Sequence, residues 1–198
     1  MAKAAAIDTR GSILDAAKEV LRERGYAALS TREVAVAAGV PLSQIHYHFG
    51  SKQGLVLALF EYLNAQLLDR QRALFSDPSL SLADQWDRAC GYLDDDLASG
   101  YVRVMHELAA AGWADPAIGA VVRESQRGWI RLIFRIASEF EKKVGGFGPL
   151  SGPEVGALVS SAFIGAENFI LSGLEGGDIP IRSSLRRVGA LIRKLEQR

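Results

Sequence analysis

This sequence predicts an all-α protein, and three observations carry that prediction. Apolar residues recur with a 3.6-residue period along most of the chain, β-branched alternating runs are few, and the six prolines fall largely at breaks between periodic segments. At 198 residues with 48% hydrophobic composition, the chain can bury a good core and fits one or two domains.

The stretch Ser30 to Lys52, STREVAVAAGVPLSQIHYHFGSK, reads as two short helices joined by a tight glycine turn. Ser30 and Glu33 have the S-x-x-E spacing of a capping box, flanked by Leu29 and Val34 as a hydrophobic staple. Val34, Ala35 and Ala38 supply one apolar face, and Gly39 ends the helix as a left-handed C′ residue. Pro41 is tolerated at the start of the next helix, where its missing N–H costs little. At about 100° per residue, Leu42, Ile45 and Phe49 face inward. Ser43, Gln44 and Tyr47 face outward, with His46 and His48 on the flanks. Ser and Gln hydrogen-bond base edges, while Tyr and His reach phosphates. Ser51 caps the following helix and leaves Lys52 in its first turn, a favourable place for a phosphate. The unit has the form of a helix-turn-helix.

The residues Thr31, Val34, Ala35, Ala38, Gly39 and Val40, then Tyr47-His48-Phe49, Ser51, Lys52 and Leu55, resemble the N-terminal DNA-binding domain of TetR-family transcriptional regulators. The resemblance covers about the first 60 residues, with two departures. Pro41 stands where a capping Ser is usual, and His46 where a phosphate-binding Tyr is commonest. The family likeness implies a first helix of roughly Thr9 to Arg24, with Ile13, Leu14, Ala17, Val20 and Leu21 inward and Gly25-Tyr26 after it. It implies an N-terminal three-helix helix-turn-helix DNA-binding domain over residues 1–54 and a helical effector-binding and dimerisation domain over 55–198. It also implies that Thr31 and Lys52 hold phosphates with His46 and Tyr47 as partners, that Ser43 and Gln44 read bases, and that Arg32 and His48 do either.

Beyond the head, the pattern from Leu55 to about Leu74 continues as one amphipathic helix and breaks at Ser76-Asp77-Pro78-Ser79. Helices are expected over Leu82 to Leu97, Tyr101 to Ala111 and Ala117 to Val144, then a break at Gly145 to Pro149. Two more follow, Pro153 to Leu174 and Ile181 to Glu196. Their apolar residues, among them Leu158, Phe169, Leu185 and Leu191, suit either the middle of a monomer core or a dimer interface. The family resemblance favours a homodimer through these last two helices, which would present two recognition helices to a palindrome.

Net charge is zero, so no global positive field points to nucleic acid. Residues 1–60 hold seven Lys/Arg against five Asp/Glu, and the remainder 16 against 18, so any basic surface is local. The single cysteine, Cys90, excludes an intramolecular disulfide framework, and a buried small residue outranks a redox sensor there. Neither an early apolar region nor a long uncharged apolar stretch is read, so a soluble cytoplasmic protein with no membrane partner is expected. No cofactor and no metal site is expected. His46 and His48 diverge by about 200° on a helix, so they do not ligate jointly. Asp94-Asp95-Asp96 and the Arg123, Arg127, Arg131 and Arg135 stripe read as solvated faces.

An aromatic-rich interior is consistent with a largely apolar ligand cavity, its candidates being Trp86, Tyr92, Met105, His106, Trp129 and Phe163. Tyr101, Trp113 and Phe134 belong to the same interior set. Glu167 and Asn168 interrupt an apolar run, and a buried polar side chain there needs a ligand, a cross-dimer group or a backbone amide. The expected function is a DNA-binding regulator, a repressor released from a palindromic double-stranded operator by a small, largely apolar effector. The alternatives are a regulator that answers to a protein partner and a small enzyme using His106 and Glu107. The second lacks any accompanying nucleophile or cofactor motif, so the chain is read as a non-enzyme.

Overall fold

A computed structural model describes residues 8–197, apart from the side chains of residues 26–28. Among the described residues there are nine helices and no strand. They are α1 (Thr9–Ala28), α2 (Thr31–Ala38), α3 (Leu42–Phe49), α4 (Lys52–Phe75), α5 (Leu82–Ala98), α6 (Tyr101–Ala111), α7 (Pro116–Val144), α8 (Gly152–Leu171) and α9 (Ile181–Glu196).

The regular part of α1 ends as expected, because Gly25 takes a non-helical φ of 75° and kinks the element. Tyr26, expected just beyond, has a side chain outside the described residues. Ile13, Leu14, Ala17, Val20 and Leu21 are all buried, so the 3.6-residue stripe faces the core. Helix α8 stops at Leu171, three residues short of the expected Leu174, because the Leu174 N–H turns back to the Phe169 carbonyl at 2.9 Å.

The main hydrophobic cluster is continuous from the head into the body. It joins Ile13 and Leu21 of α1, Val34 of α2, Ile45 of α3 and Leu55 to Leu63 of α4 with Val102 to Leu108 of α6 and Ile118 and Val122 of α7. Residue 54, the expected domain limit, therefore lies in the first turn of a helix whose buried face serves both regions. A smaller cluster holds Trp86, Cys90 and Leu93 of α5 against Ala166 of α8 and Leu185 of α9. Each fully buried large aliphatic side chain in these clusters contributes about 1.5–3 kcal/mol.

Helix α8 is largely apolar but carries Glu154 and Glu167, so it is not a long uncharged stretch. By length and composition it could cross a membrane, with a mean hydropathy of 1.3. Within the chain it buries only Gly152, Gly156, Ser160 and Ala166, and leaves Leu158 60% exposed. The aspartate run differs from a solvated end. Asp96 accepts from Arg70 at 2.7 Å, tying α5 to α4, and Asp94 pairs with Arg182 and with Arg186 at 3.4 Å, tying α5 to α9. Of the arginine stripe, Arg127 and Arg131 are exposed and pair with Glu124.

Candidate nucleic-acid interface and effector cavity

The head is built by local capping. The Ser30 hydroxyl accepts the Glu33 N–H at 3.2 Å, an N-cap that contributes about 1 kcal/mol. The reciprocal half of the expected capping box is replaced by an ion pair, in which Arg24 donates to Glu33 Oε1 at 2.8 Å. That contact ties α2 to the end of α1. Leu29 and Val34 are both fully buried, as a staple requires. Gly39 has φ 65° and ψ 30°, and the Val40 N–H closes on the Ala35 carbonyl at 3.0 Å. Only a residue free of a Cβ adopts that turn without strain. Pro41 is the N-cap residue of α3 rather than its first helical residue, and it offers no side-chain cap.

Within α3, Ile45 is buried and Leu42 and Phe49 are half-buried against the core. Ser43 and His46 are exposed, Gln44 and His48 are half-buried, and Tyr47 is 82% exposed. His46 Nδ1 lies 3.2 Å from the Gly50 carbonyl, which orients its ring. The Tyr47 and His48 rings meet edge-on at 5.0 Å. Thr31 and Arg32 begin α2, half-buried and exposed respectively. Ser51 caps α4 by accepting the Gly54 N–H at 3.0 Å, and Lys52 is exposed in the first turn.

Two residues of this face carry a signal that periodicity alone did not isolate. Val36 is 83% exposed on α2, four residues after Arg32 and therefore on its side of the helix. Gly54 is where α4 meets α3: a Cβ built there would lie 2.0 Å from the Phe49 carbonyl oxygen. Its signal was a glycine inside a helical pattern, which marks close approach.

In the body, α4, α5, α6, α7 and α8 line a mostly apolar cavity of about 50 Å³. Met105, Trp129, Phe163 and Glu167 line it together with Tyr101. The other sequence candidates lie elsewhere. Trp86 donates to the Leu185 carbonyl at 2.7 Å and lines a separate, wholly apolar cavity bounded by α5, α7, α8 and α9. The Tyr92 ring sits under the Arg70 guanidinium at 4.0 Å. His106 is behind the cavity wall, with Nε2 3.6 Å from Glu167 Oε2. Asn168 is exposed, because the position after Glu167 is rotated about 100° away from the interior. Trp113 is 90% exposed at the corner between α6 and α7.

The polar part of the lining was missed by sequence reasoning: Asn64 and Gln71 of α4, Asp96 of α5, and Ser125 and Gln126 of α7. Tyr101 donates to Asn64 at 3.0 Å. Burial, reinforced by the charges of Glu167 and Asp96, pushes the Tyr101 phenol up. Burial likewise raises the Asp96 carboxyl to about 6, against the opposing pull of Arg70. Cys90 is buried and its thiol is pushed up to about 11 by burial, the opposite of a reactive cysteine.

Three comparisons set this geometry among known proteins. Residues 13–59 match the model for "Bacterial regulatory proteins, tetR family". The chain is 37% identical over 117 residues to the HTH-type transcriptional regulator CymR of Pseudomonas putida, a match covering 57% of this chain and 55% of that regulator. It thus spans little more than half of that relative's length. Two solved structures share the fold: a TetR transcription regulator from Haloarcula marismortui (TM-score 0.74, 17% identity, 94% of this chain and 97% of that one) and FadR from Bacillus subtilis in complex with stearoyl-CoA (TM-score 0.68, 17% identity, 91% and 97%). The motif of the head, the residues matched and the arrangement of the helices coincide: residues 13–59 carry the TetR-family signature, and the chain shares the fold of solved TetR regulators.

Proposed function

We propose that this chain is a homodimeric repressor that binds a palindromic operator and is released by a small, largely apolar ligand. The observation that carries the DNA-binding part is the outward face of α3, where Ser43, Gln44 and Tyr47 project from a helix anchored by Ile45. In this reading Gln44 and Ser43 meet base edges, and Thr31, Lys52, His46 and Tyr47 hold phosphates. Arg32 and His48 lie at the edge of the same face and serve either role.

Dimerisation is supported by apolar residues that the single chain leaves uncovered on its last two helices, Leu158 at 60% exposure and Leu191 at 59%. A second copy is a better cover than a bilayer, since α8 carries Glu154 and Glu167 and packs along α7. This agrees with a cytoplasmic site of action.

Ligand control is supported by the position of the cavity. Asn64, Leu67 and Gln71 belong to α4, whose first turn carries Lys52 beside α3. The wholly apolar cavity meets α4 only at Phe75, its last residue. About 50 Å³ holds a few waters, so in this reading the helices move apart to take a larger effector. A ligand that binds the opened form better shifts the population toward it and alters the placement of the heads. FadR, which shares the fold, has been seen with stearoyl-CoA, and this supports a ligand-bearing body.

The test is selection of bound duplexes from a random pool by the full chain, followed by a screen for compounds that release the selected DNA. A palindromic consensus released by a small molecule is the expected result. Recovery of no duplex overturns the reading.

A further inference from the structure

We propose that the effector is a cation, an ammonium or amidinium borne on an aromatic or aliphatic body, and that Glu167 is the residue that receives its charge. This inference rests on the reading of the α4–α8 cavity as the ligand site and adds the chemistry of what enters.

The cavity wall carries two carboxylates and no lysine or arginine, and two of its buried acceptor atoms are unsatisfied. Among the described residues, no hydrogen-bond partner lies within reach of Glu167 Oε2 or of Gln71 Oε1, and both atoms are buried. Gln71 is only 7% exposed and lines the cavity. A buried acceptor left without a donor is destabilising, and more so when it is charged. His106 does not relieve Glu167, since 3.6 Å is too long for a hydrogen bond, and His106 Nε2 is itself among the buried atoms without a partner.

Charge points the same way. Asp96 and Glu167 both line the cavity, but Arg70, which donates to both Asp96 oxygens at 2.7 Å, approaches from outside it. Arg70 is therefore committed to Asp96, and the group nearest Glu167 is the His106 ring at 3.6 Å, which is positive only when protonated. The remaining wall suits a cation as well. Trp129, Phe163 and Tyr101 present aromatic rings, and the Trp129 and Phe163 rings meet edge-on at 6.2 Å. Ring faces attract ammonium and amidinium groups, most strongly where water is excluded. A carboxylate ligand would face two like charges with no cation on the cavity side, so this wall discriminates by sign.

The test uses the full-length protein and three probes of matched shape: 2-phenylethylamine, 2-phenylethanol and phenylacetate. Binding is measured by calorimetry and by quenching of tryptophan fluorescence, with Trp129 as the reporter in the wall. The amine is expected to bind at least tenfold tighter than the alcohol, and phenylacetate weakest of the three. Glu167→Gln should lower amine affinity at least tenfold and change alcohol affinity less than threefold. Gln71→Leu, as a second variant, should weaken the amine in the same direction by a smaller factor. An amine that binds no tighter than the alcohol, a preference for phenylacetate, or an unchanged amine affinity in Glu167→Gln overturns the proposal. Duplex binding by the wild-type chain is measured separately. A chain that binds the amine and no DNA refutes the regulator reading and leaves the ligand chemistry standing, and one that binds DNA and ignores the amine does the reverse.

Discussion

Gly54→Ala separates steric fit from helix propensity because the two effects have opposite signs. Alanine is favoured over glycine inside a helix by about 1 kcal/mol, so on propensity alone the variant is stabilised. The geometry predicts the reverse. The added Cβ would sit 2.0 Å from the Phe49 carbonyl oxygen, and ordinary contact begins near 3.4 Å, so α3 and α4 must part by about 1.4 Å. Overpacking of this kind typically costs about 1–3 kcal/mol. At about 2–4 °C per kcal/mol for a chain of this size, the melting temperature should fall by several degrees. Because the shift re-aims the helix bearing Gln44, operator affinity should also fall, by the equivalent of about one good base contact or about 1–3 kcal/mol. Gly91→Ala is the control, since nothing lies within 4 Å of its added Cβ in the middle of α5. It should be neutral or stabilising by up to about 1 kcal/mol. Thermal melts and fluorescence anisotropy with labelled operator read both variants. If Gly54→Ala matches Gly91→Ala in melting temperature and in affinity, the close approach of α3 to α4 is not a constraint and the reasoning fails.

Gln44→Ala should relax base preference at one operator position by about 1–3 kcal/mol, read by binding to a set of single-position operator variants. Lys52→Ala should weaken all duplexes alike and lower the slope of log affinity against log salt by about one unit; an unaltered slope would remove it from the phosphate contacts. Leu158→Glu should yield a folded monomer by light scattering, with helical circular dichroism retained, because Leu158 is mostly exposed in the single chain. The Asp96 carboxyl, raised from 3.8 to about 6 in the folded chain, binds more protons folded than unfolded between those values. Its contribution to stability is therefore fully present below about pH 4 and is lost as pH rises through about 6, by about 2–3 kcal/mol at most. Asp96→Asn should flatten that part of the stability profile in urea melts run between pH 4.5 and 7, and an unchanged profile would contradict the burial argument.

The parts of this protein legible in its sequence are those determined within one or two helical turns. The end of α1, the Ser30 cap, the turn at Gly39 and the inward side of α3 follow from φ preference, short-range hydrogen bonds and a 3.6-residue period. The same rules found α6 and α9 at their observed bounds. They overran α8, because the stop there is a backbone closure without a distinctive apolar break.

The cavity was legible only in its aromatic half. Met105, Trp129 and Phe163 could be nominated as large apolar residues, but the same criterion also nominated Trp86, Tyr92 and the exposed Trp113. Hydrophobicity says that a side chain avoids water and does not say which neighbour it meets. The polar wall was invisible for a stronger reason. Arg70 with Asp96, Tyr101 with Asn64, and His106 with Glu167 are brought together from positions tens of residues apart. By itself, then, the sequence determined an all-helical chain with a helix-turn-helix head, because caps, turns and periodicity are local physics. Only the tertiary structure decided which acceptors share one interior and which of them lack a hydrogen-bond partner, because desolvation and pairing depend on where distant helices bring their side chains.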